Sequence, residues 1–595
     1  MKKLSFIILI VTLAMLLSAC SVGGDANVTT PSDTTVSAPD SDADTTTAEV
    51  ESGDVVLVSG GVSHYKVIRD EDAGDTAIQA AMDIRRAIGD ITGVTPEITT
   101  DYKKKDAEYD PDTVAILVGN TGYEESTAVA EGMGYGEFRI QVYGNKIVVA
   151  GALDETIERA SAAFCAKLKE NWNGETLSLP RDYSQSQVTS KFLNAVPVCT
   201  YGYLEGVYDA GNEAELFIID NVTEQEYKNY ITTATSNGCE FYDDNEINGN
   251  LFTTLTCSEA TLNVMYLKGD KEIRICADRP AHAAIQPRDK ENVYTSTTKS
   301  SVTQIGCEFA YGSETIADKQ IGMCYIFKLA DGSFIIEDGG FNNKNDADRL
   351  YKALIELNGG KKDGIIIAAW IFSHTHGDHV GAFRQFTNYY ASQVAVERFI
   401  FNIPSYDQYI EADYDNASPG TALLTAMKKY AGAKLSVAHP GQVYKIRNAT
   451  ITILFTYELR MPAKMTTFNS SSIVPRIEIE GQSFTMLGDL YTDGCNALAK
   501  LYGKELKTDF LQVAHHGASG GVYETNKLLD PIVLLWPLGE YDYFGVGKWN
   551  RSGETYNRWF FESPTLKEIV LAGSSIRTLE LPYKYPEQQV LPEQK

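Results

Sequence analysis

Positive charge is scarce in this chain. Its 595 residues carry 52 Lys and Arg against 80 Asp and Glu, a formal charge of −28 and a pI near 4.7. Adhesion to nucleic acid or to an anionic lipid surface needs clustered cations to displace counterions, and Lys361-Lys362 and Lys428-Lys429 are too few to form such a patch. The composition therefore argues against broad electrostatic binding to either partner. Cysteine is also sparse: beyond Cys20, the cysteines at 165, 199, 239, 257, 276, 307, 324 and 495 contain no CxxC or other close metal-type pair, and spacing alone assigns no disulfide. The hydrophobic fraction of 43% and the charged fraction of 22% are ordinary for a globular protein. They exclude wholesale disorder, a fibrous repeat and a polytopic membrane protein. At roughly 100 to 200 residues per domain, the length predicts three or four domains.

The first residues read as an address. Lys2 and Lys3 precede an apolar run from Leu4 to Leu17, which ends in Ser18 and Ala19 before Cys20. The run is short for a membrane span, and the order of charge, apolar core and small residues is that of an export signal over 1–19. Leu17-Ser18-Ala19-Cys20 resembles the lipobox of bacterial lipoproteins, which implies lipidation at Cys20 and anchorage to the outer face of the cell membrane. Residues 20–52 are rich in Thr, Ser, Asp and Ala, and 21–52 lack aromatics, Lys and Arg. Such a segment cannot bury enough apolar surface to fold and is expected to act as a disordered tether.

Two folded regions are expected next. Within 53–185, Val55 to Val58 and Val114 to Val118 read as strands. Ala77, Ala81, Ile84, Ile88 and Ile91 fall at helical spacing up to Gly93, and a second amphipathic helix runs from Glu155 to Leu168. Phe138 to Val142 and Lys146 to Ala150 predict a hairpin about Gly144-Asn145. This small α/β domain resembles in pattern the helper domain that precedes the catalytic barrel of some polysaccharide-degrading glycosidases, which would imply sugar binding; a plain spacer fits equally well. The second region, 190–295, is a β-rich α+β domain around one helix that starts at a capping box, Thr223 with Glu226. His64 and His282 stand alone and read as ordinary histidines.

The third region, 302–590, carries the chemistry. Strands Tyr325 to Leu329 and Phe334 to Glu337 meet at an Asp331-Gly332 turn, and the second runs into Asp338-Gly339-Gly340 before a helix from Ala347 to Leu357. The apolar run Ile365 to Phe372 then ends in Ser373-His374-Thr375-His376-Gly377-Asp378-His379. Four potential ligands within six residues after a buried strand suit neither core nor solvated surface. On a loop, His374 and His376 can face one metal while Asp378 and His379 face another, and imidazole with carboxylate suits zinc.

HTHGDH resembles the HxHxDH signature of the metallo-β-lactamase superfamily, whose hydrolases have an αββα sandwich. The fold class implied is α/β, with a C-terminal αββα metallo-β-lactamase sandwich preceded by the small α/β and the β-rich α+β domains. The strands Ile473 to Ile479 and Ser483 to Leu487 end in Gly488-Asp489, where the superfamily places its bridging carboxylate. Asp509 to Val513 ends in Ala514-His515-His516-Gly517, where it places its last histidine. The resemblance thus implies His374 and His376 on the first metal, Asp378 and His379 on the second, Asp489 between them, and His515 as the last ligand, with His516 as the alternative. Two zinc ions are implied, one ion or another divalent metal being the alternatives. The histidine that most two-metal members carry before the bridging Asp is replaced by Asn469-Ser470-Ser471-Ser472. His439 could substitute but reads as structural, since an extra strand, Thr450 to Phe455, separates it from Asp489. Asp338, Asn469 and Ser472 are candidate supports for the ligands. The missing histidine and the His-His-Gly ending resemble a narrower branch, which includes the external domain of DNA-uptake competence proteins and a pneumococcal phosphorylcholine esterase. Members of that branch usually have Ser directly after His-His-Gly; here Ala518 intervenes before Ser519.

The resemblance implies hydrolysis through a metal-bound hydroxide, with Asp378 as the residue that orients it and shuttles its proton. A surface-tethered enzyme meets wall polymers and glycans first, so phosphoester or ester bonds there are the expected substrates and DNA is not. Trp536, Trp549 and Trp559, interleaved with Tyr541, Tyr543 and Tyr556, could cage a choline-like cation or stack on sugar, although core packing is the expectation. The competing class is a non-enzymatic surface module that binds glycan on a metal-fold scaffold. A β-lactamase suits the extra domains and the tether poorly.

Overall fold

The computed structural model describes residues 53–104, 107–131, 133, 137–151, 154–188, 192, 195–279, 287, 289–311, 314–405, 417–544, 554–572 and 576–593. The export signal, Cys20, the tether, His282 and Trp549 lie outside them. The fold is mixed α/β with several sheets. Among the described residues no helix is long and apolar enough to cross a membrane.

The first stretch forms two sheets. A three-stranded sheet pairs β1 (Val55–Ser59) with β2 (Val62–Ser63) and with β8 (Leu177–Leu179). The larger one runs in the order β4 (Ile98–Thr100), β3 (Lys66–Arg69), β5 (Ala115–Val118), β7 (Lys146–Gly151), β6 (Glu137–Tyr143), β9 (Ser184–Val188). Helix α1 (Asp75–Thr92) buries Ala77, Ala81, Ile84 and Ile88 on one stripe and stops at Gly93, whose left-handed φ of 74° lets its N–H reach the Gly89 carbonyl. A short α2 (Glu124–Ala130) and α3 (Asp154–Glu170) complete the unit, whose cores draw only on residues from 55 to 183.

The second stretch is an antiparallel sheet ordered β10 (Tyr203–Gly211), β11 (Ala214–Asp220), β15 (Glu272–Asp278), β14 (Thr261–Leu267), β13 (Asn250–Thr256), β12 (Glu240–Ile247). One face buries α4 (Glu224–Ser236), which starts at the Thr223/Glu226 capping box. A disulfide joins Cys239 to Cys257 at the end of the β12–β13 pair. The other face, with Leu216, Ile218, Phe252, Met265 and Leu267, is not solvated. It shares one continuous core with the C-terminal stretch.

That C-terminal stretch holds two facing sheets. One is ordered β24 (Lys434–Val437), β23 (Arg398–Phe401), β21 (Ile365–Ile371), β20 (Phe334–Asp338), β19 (Cys324–Lys328), β16 (Ser301–Gln304), β32 (Arg577–Glu580), with β22 (Val394–Val396) also on β21. A small hairpin, β17 (Glu308–Tyr311) with β18 (Glu314–Gln320), stands apart from it. The other sheet is ordered β25 (Val443–Ile446), β26 (Ala449–Phe455), β27 (Val474–Ile479), β28 (Gln482–Met486), β29 (Phe510–Gln512), β30 (Val533–Trp536), β31 (Glu568–Leu571). Alternate residues of both sheets, such as Phe327, Ile335, Ile371, Ile453, Phe484 and Phe510, form the core between them. The outer faces carry α5 (Lys344–Leu357), α6 (Gly377–Tyr390) and α7 (Ala417–Met427) on one side, and α8 (Thr492–Tyr502), α9 (Tyr523–Leu529) and α10 (Glu554–Glu562) on the other. Strand β21, IIIAAWI, is apolar on both faces because it lies between parallel neighbours under this helical cover.

Candidate metal centre

Four strand ends meet at one edge of the two sheets. Strand β20 ends at Asp338, where the backbone turns through φ 57°. Asp338 Oδ1 accepts the Ser373 N–H at 2.8 Å, and Oδ2 accepts the Ser373 hydroxyl at 2.7 Å and the His379 Nδ1–H at 2.7 Å. That carboxylate fixes both the start of the loop after β21 and the ring of His379. Helix α6 begins after His376, so His379 sits in its first turn with Nε2 turned the other way. Gly381 lets this helix lie against Phe341 and Asn342, since a Cβ there would stand 2.2 Å from the Asn342 nitrogen.

The second sheet brings the complement. After β28, Gly488 adopts φ 55° and Asp489 follows, its N–H donating to Ser472 Oγ at 3.1 Å. After β29 two consecutive residues, His515 (φ 46°) and His516 (φ 54°), take the left-handed conformation, followed by Gly517 at 82°. His516 Nδ1–H donates to the Pro537 carbonyl at 2.9 Å, and the Trp536 indole N–H donates to the His516 carbonyl at 2.8 Å, so this ring presents Nε2 to the site. His515 Nδ1 lies 3.0 Å from Ser519 Oγ, and its Nε2 lies 3.5 Å from the Asn469 amide nitrogen.

These side chains form two groups that share Asp489. In the first, one ligand atom each from Asp378, His379, Asp489 and His516 lies within 4.8 Å of the others; in the second, the same holds for His374, His376 and Asp489. The two oxygens of Asp489 divide between them. Its Oδ1 lies 3.2 Å from His379 Nε2 and 3.6 Å from His516 Nε2, while Oδ2 lies 3.9 Å from His374 Nε2 and 3.8 Å from His515 Nε2. His516 Nε2 is also 3.2 Å from Asp378 Oδ2. The structure brings His374, His376, Asp378, His379, Asp489, His515 and His516 to this edge. Of the two adjacent histidines that the sequence offered as alternatives, His516 lies beside Asp378 and His379, whereas His515 stands on the His374 side. The adjacent His-His pair was visible, but its division between the groups depends on two successive positive φ values, which periodicity does not report.

His439 is elsewhere. It is buried between the Asp278 carboxylate, 2.6 Å from Nε2, and the Glu458 carboxylate, 2.9 and 3.0 Å from Nδ1, against the middle sheet. Ser472 touches the centre through Asp489 and lies 3.4 Å from His374 Nδ1. Of the described aromatics after the last motif, Trp536 and Tyr543 are buried, Trp559 packs edge-on to Tyr523, and Tyr541 and Tyr556 are exposed.

Charge explains what the groups can hold. Burial opposes ionisation of Asp378, but His379 and His516 outweigh it and keep the carboxyl well below its ordinary range. Burial likewise opposes the charge on Asp489, and His379, His516 and His515 reverse it. Burial holds His374 and His515 low, hence neutral with a lone pair to offer. It acts in the same direction on His379 and His516, but the surrounding carboxylates pull both upward. A divalent cation held there would supply the positive charge that those carboxylates otherwise draw from protons on imidazole. The donor set fits one: His374 Nε2, His379 Nε2 and Asp489 Oδ1 are buried without a hydrogen-bond partner, an arrangement that costs about 1–3 kcal/mol per group unless something else binds there.

No family model and no curated protein matches the chain. Solved structures of metallo-β-lactamase fold are similar to about half of it. The metallo-β-lactamase fold protein YhfI from Bacillus subtilis is 16% identical, over 47% of this chain and 100% of that one, with a TM-score of 0.29. Tm1679, a metal-dependent hydrolase of the β-lactamase superfamily, is 12% identical over 47% of this chain and 99% of its own, with a TM-score of 0.27. CmlA, a diiron β-hydroxylase from Streptomyces venezuelae, is 12% identical over 48% of this chain and 55% of its own, also with a TM-score of 0.27.

Proposed function

We propose that the chain is a metal-dependent hydrolase of the metallo-β-lactamase superfamily, cleaving phosphoester or ester bonds of wall-associated or extracellular substrates, and carried on the outer face of the cell membrane by a lipid on Cys20. The observation that supports it best is the pair of ligand groups joined by Asp489, with Asp378 and His516 on one side and His374, His376 and His515 on the other. A binding scaffold has no use for two carboxylates and five imidazoles converging in one place.

Zinc suits this mixed imidazole and carboxylate set. His374, His376 and Asp489, with His515 close by, would hold one ion, and Asp378, His379, His516 and Asp489 the other. When bound, such a pair supplies Lewis acidity and a water whose pKa falls to about 7. The protein's own work is positional and proton-handling. Asp338 and Pro537 fix the rings of His379 and His516 through Nδ1, so that each turns Nε2 toward the centre. Ser472 holds the backbone of Asp489. Asp378, ionised and only partly covered, orients the attacking water and accepts its proton at a carboxylate oxygen.

Elemental analysis of protein lacking the tether, with hydrolysis of bis(p-nitrophenyl) phosphate and p-nitrophenyl phosphorylcholine, tests this. Two metal ions per chain and turnover that chelation abolishes are expected. Asp378→Asn should lower kcat by about 10²–10⁴-fold, and His376→Ala should lose metal. No metal and no turnover would leave the surface glycan-binding module as the better account.

A further inference from the structure

Arg460 sits on a backbone that is held in place, while its guanidinium makes one long ion pair, with Asp493. It caps the short turn Tyr457–Leu459 with about a third of its side chain exposed. Its Nε stands 3.7 Å from Asp493 Oδ2, too far for a hydrogen bond, and is buried without a hydrogen-bond partner. The backbone on either side is tied down. Arg274 of the middle sheet donates from Nη1 to the carbonyls of Glu458 and Met461, and the Glu458 carboxylate accepts from Asn402 at 2.7 Å and from His439.

The same segment borders the metal centre. The ring of Phe468 packs edge-on to His376, Asn469 reaches His515, and Ser470 donates to Asp493 Oδ1 at 3.1 Å. Asp493 lies in the first turn of α8, four residues after Asp489. Arg460 is thus joined through Asp493 and Ser470 to the rim on the His376 and His515 side.

We propose that Arg460 is an anion-binding arm of the site, taking a non-bridging oxygen of a phosphoester substrate; this rests on the hydrolase reading above. A protein of charge −28 repels anions, and an anionic substrate needs a local cation near the place of reaction. Guanidinium presents a planar fork of donors that matches phosphate oxygens, and it holds its charge at all working pH. A loop fixed from two sides meets the ordering requirement before the substrate arrives. The middle sheet acquires a role by the same geometry, since Arg274 and His439 fix the loop that carries the arm.

The experiment compares metal-loaded wild type, Arg460→Ala, Arg460→Lys and Asp493→Asn on bis(p-nitrophenyl) phosphate, an anion, and p-nitrophenyl acetate, a neutral ester with the same leaving group. Arg460→Ala should raise KM for the phosphate about tenfold or more, leave kcat within about twofold, and leave both constants for the acetate unchanged. Arg460→Lys should recover part of the loss, and Asp493→Asn, which removes a competing carboxylate, should lower KM for the phosphate. Equal changes on both substrates, or none on either, overturn the proposal. If wild type hydrolyses neither ester, the hydrolase reading fails by itself. Calorimetric titration with inorganic phosphate then decides: binding at least about tenfold weaker in Arg460→Ala supports the arm, and unchanged binding rejects it.

Discussion

Two buried residues away from the ligand positions carry sharply different predictions. Asp338 touches no reacting group, yet it orients His379 and the Ser373 backbone together. Asp338→Ala should therefore weaken metal binding about 10–100-fold while the protein still folds, which competition with a chromogenic chelator measures. His439 is a matter of stability. Burial opposes its charge, but Asp278 and Glu458 on either side hold its pKa well above the usual 6.5. A folded pKa above the unfolded one contributes stability that is fully present below 6.5 and is lost as pH rises through the folded value. His439→Gln should cost about 3–5 kcal/mol on that plateau, and the gap in Tm from wild type should close only at alkaline pH. A gap that is constant with pH would mean His439 is neutral in the folded protein. At this scale the sequence was informative where one short segment carries the chemistry, as in His374 to His379. It was silent on Asp278 and Glu458, whose partner lies 161 and 19 residues away.

Elements behaved in the same way: local patterns were legible and long-range pairing was not. The stripe from Ala77 to Ile88 and the stop at Gly93 appear in α1 as the spacing predicts, and Tyr143 pairs with Lys146 across the expected Gly144-Asn145 turn. Nothing local says that β16 lies between β19 and β32, nearly 275 residues later, or that the middle sheet buries both faces. The His515–Gly517 turn shows how an element imposes site geometry. Gly517 has φ 82°, and a Cβ there would stand 2.4 Å from the Trp536 ring. Gly517→Ala therefore adds left-handed strain of about 1–2 kcal/mol to overpacking of about 1–3 kcal/mol. It should displace both histidines, lowering Tm and reducing metal content below that of wild type. Full metal content with only a lowered Tm would show that the turn tolerates the shift without moving the rings.

For the whole molecule the cores decide what can be cut away. The β1–β9 unit has cores of its own, drawn from residues 55 to 183. The middle sheet does not stand apart, because Leu216, Ile218, Phe252, Met265 and Leu267 lie in the same core as Trp370, Phe383 and Leu498. Each such side chain returned to water forfeits about 1.5–3 kcal/mol, and a handful of them is comparable with the 5–15 kcal/mol that holds a whole domain together. Polar ties cross the same boundary: Asn248 and Asn250 donate to the Leu501 carbonyl at 2.8 Å, and Asn212 donates to that of Ile403 at 2.9 Å. A chain starting near residue 189 should therefore fold, melt in one transition and bind as much metal as a chain starting at 53. A chain starting near residue 296 keeps every candidate ligand, yet it exposes this apolar face and frees the loop from Glu458 to Met461. It should aggregate or melt far lower, with weakened metal binding even where it stays soluble. If the shorter chain instead bound metal and melted like the longer one, the middle sheet would be a passenger, and its hold on the rim of the site would have no functional weight.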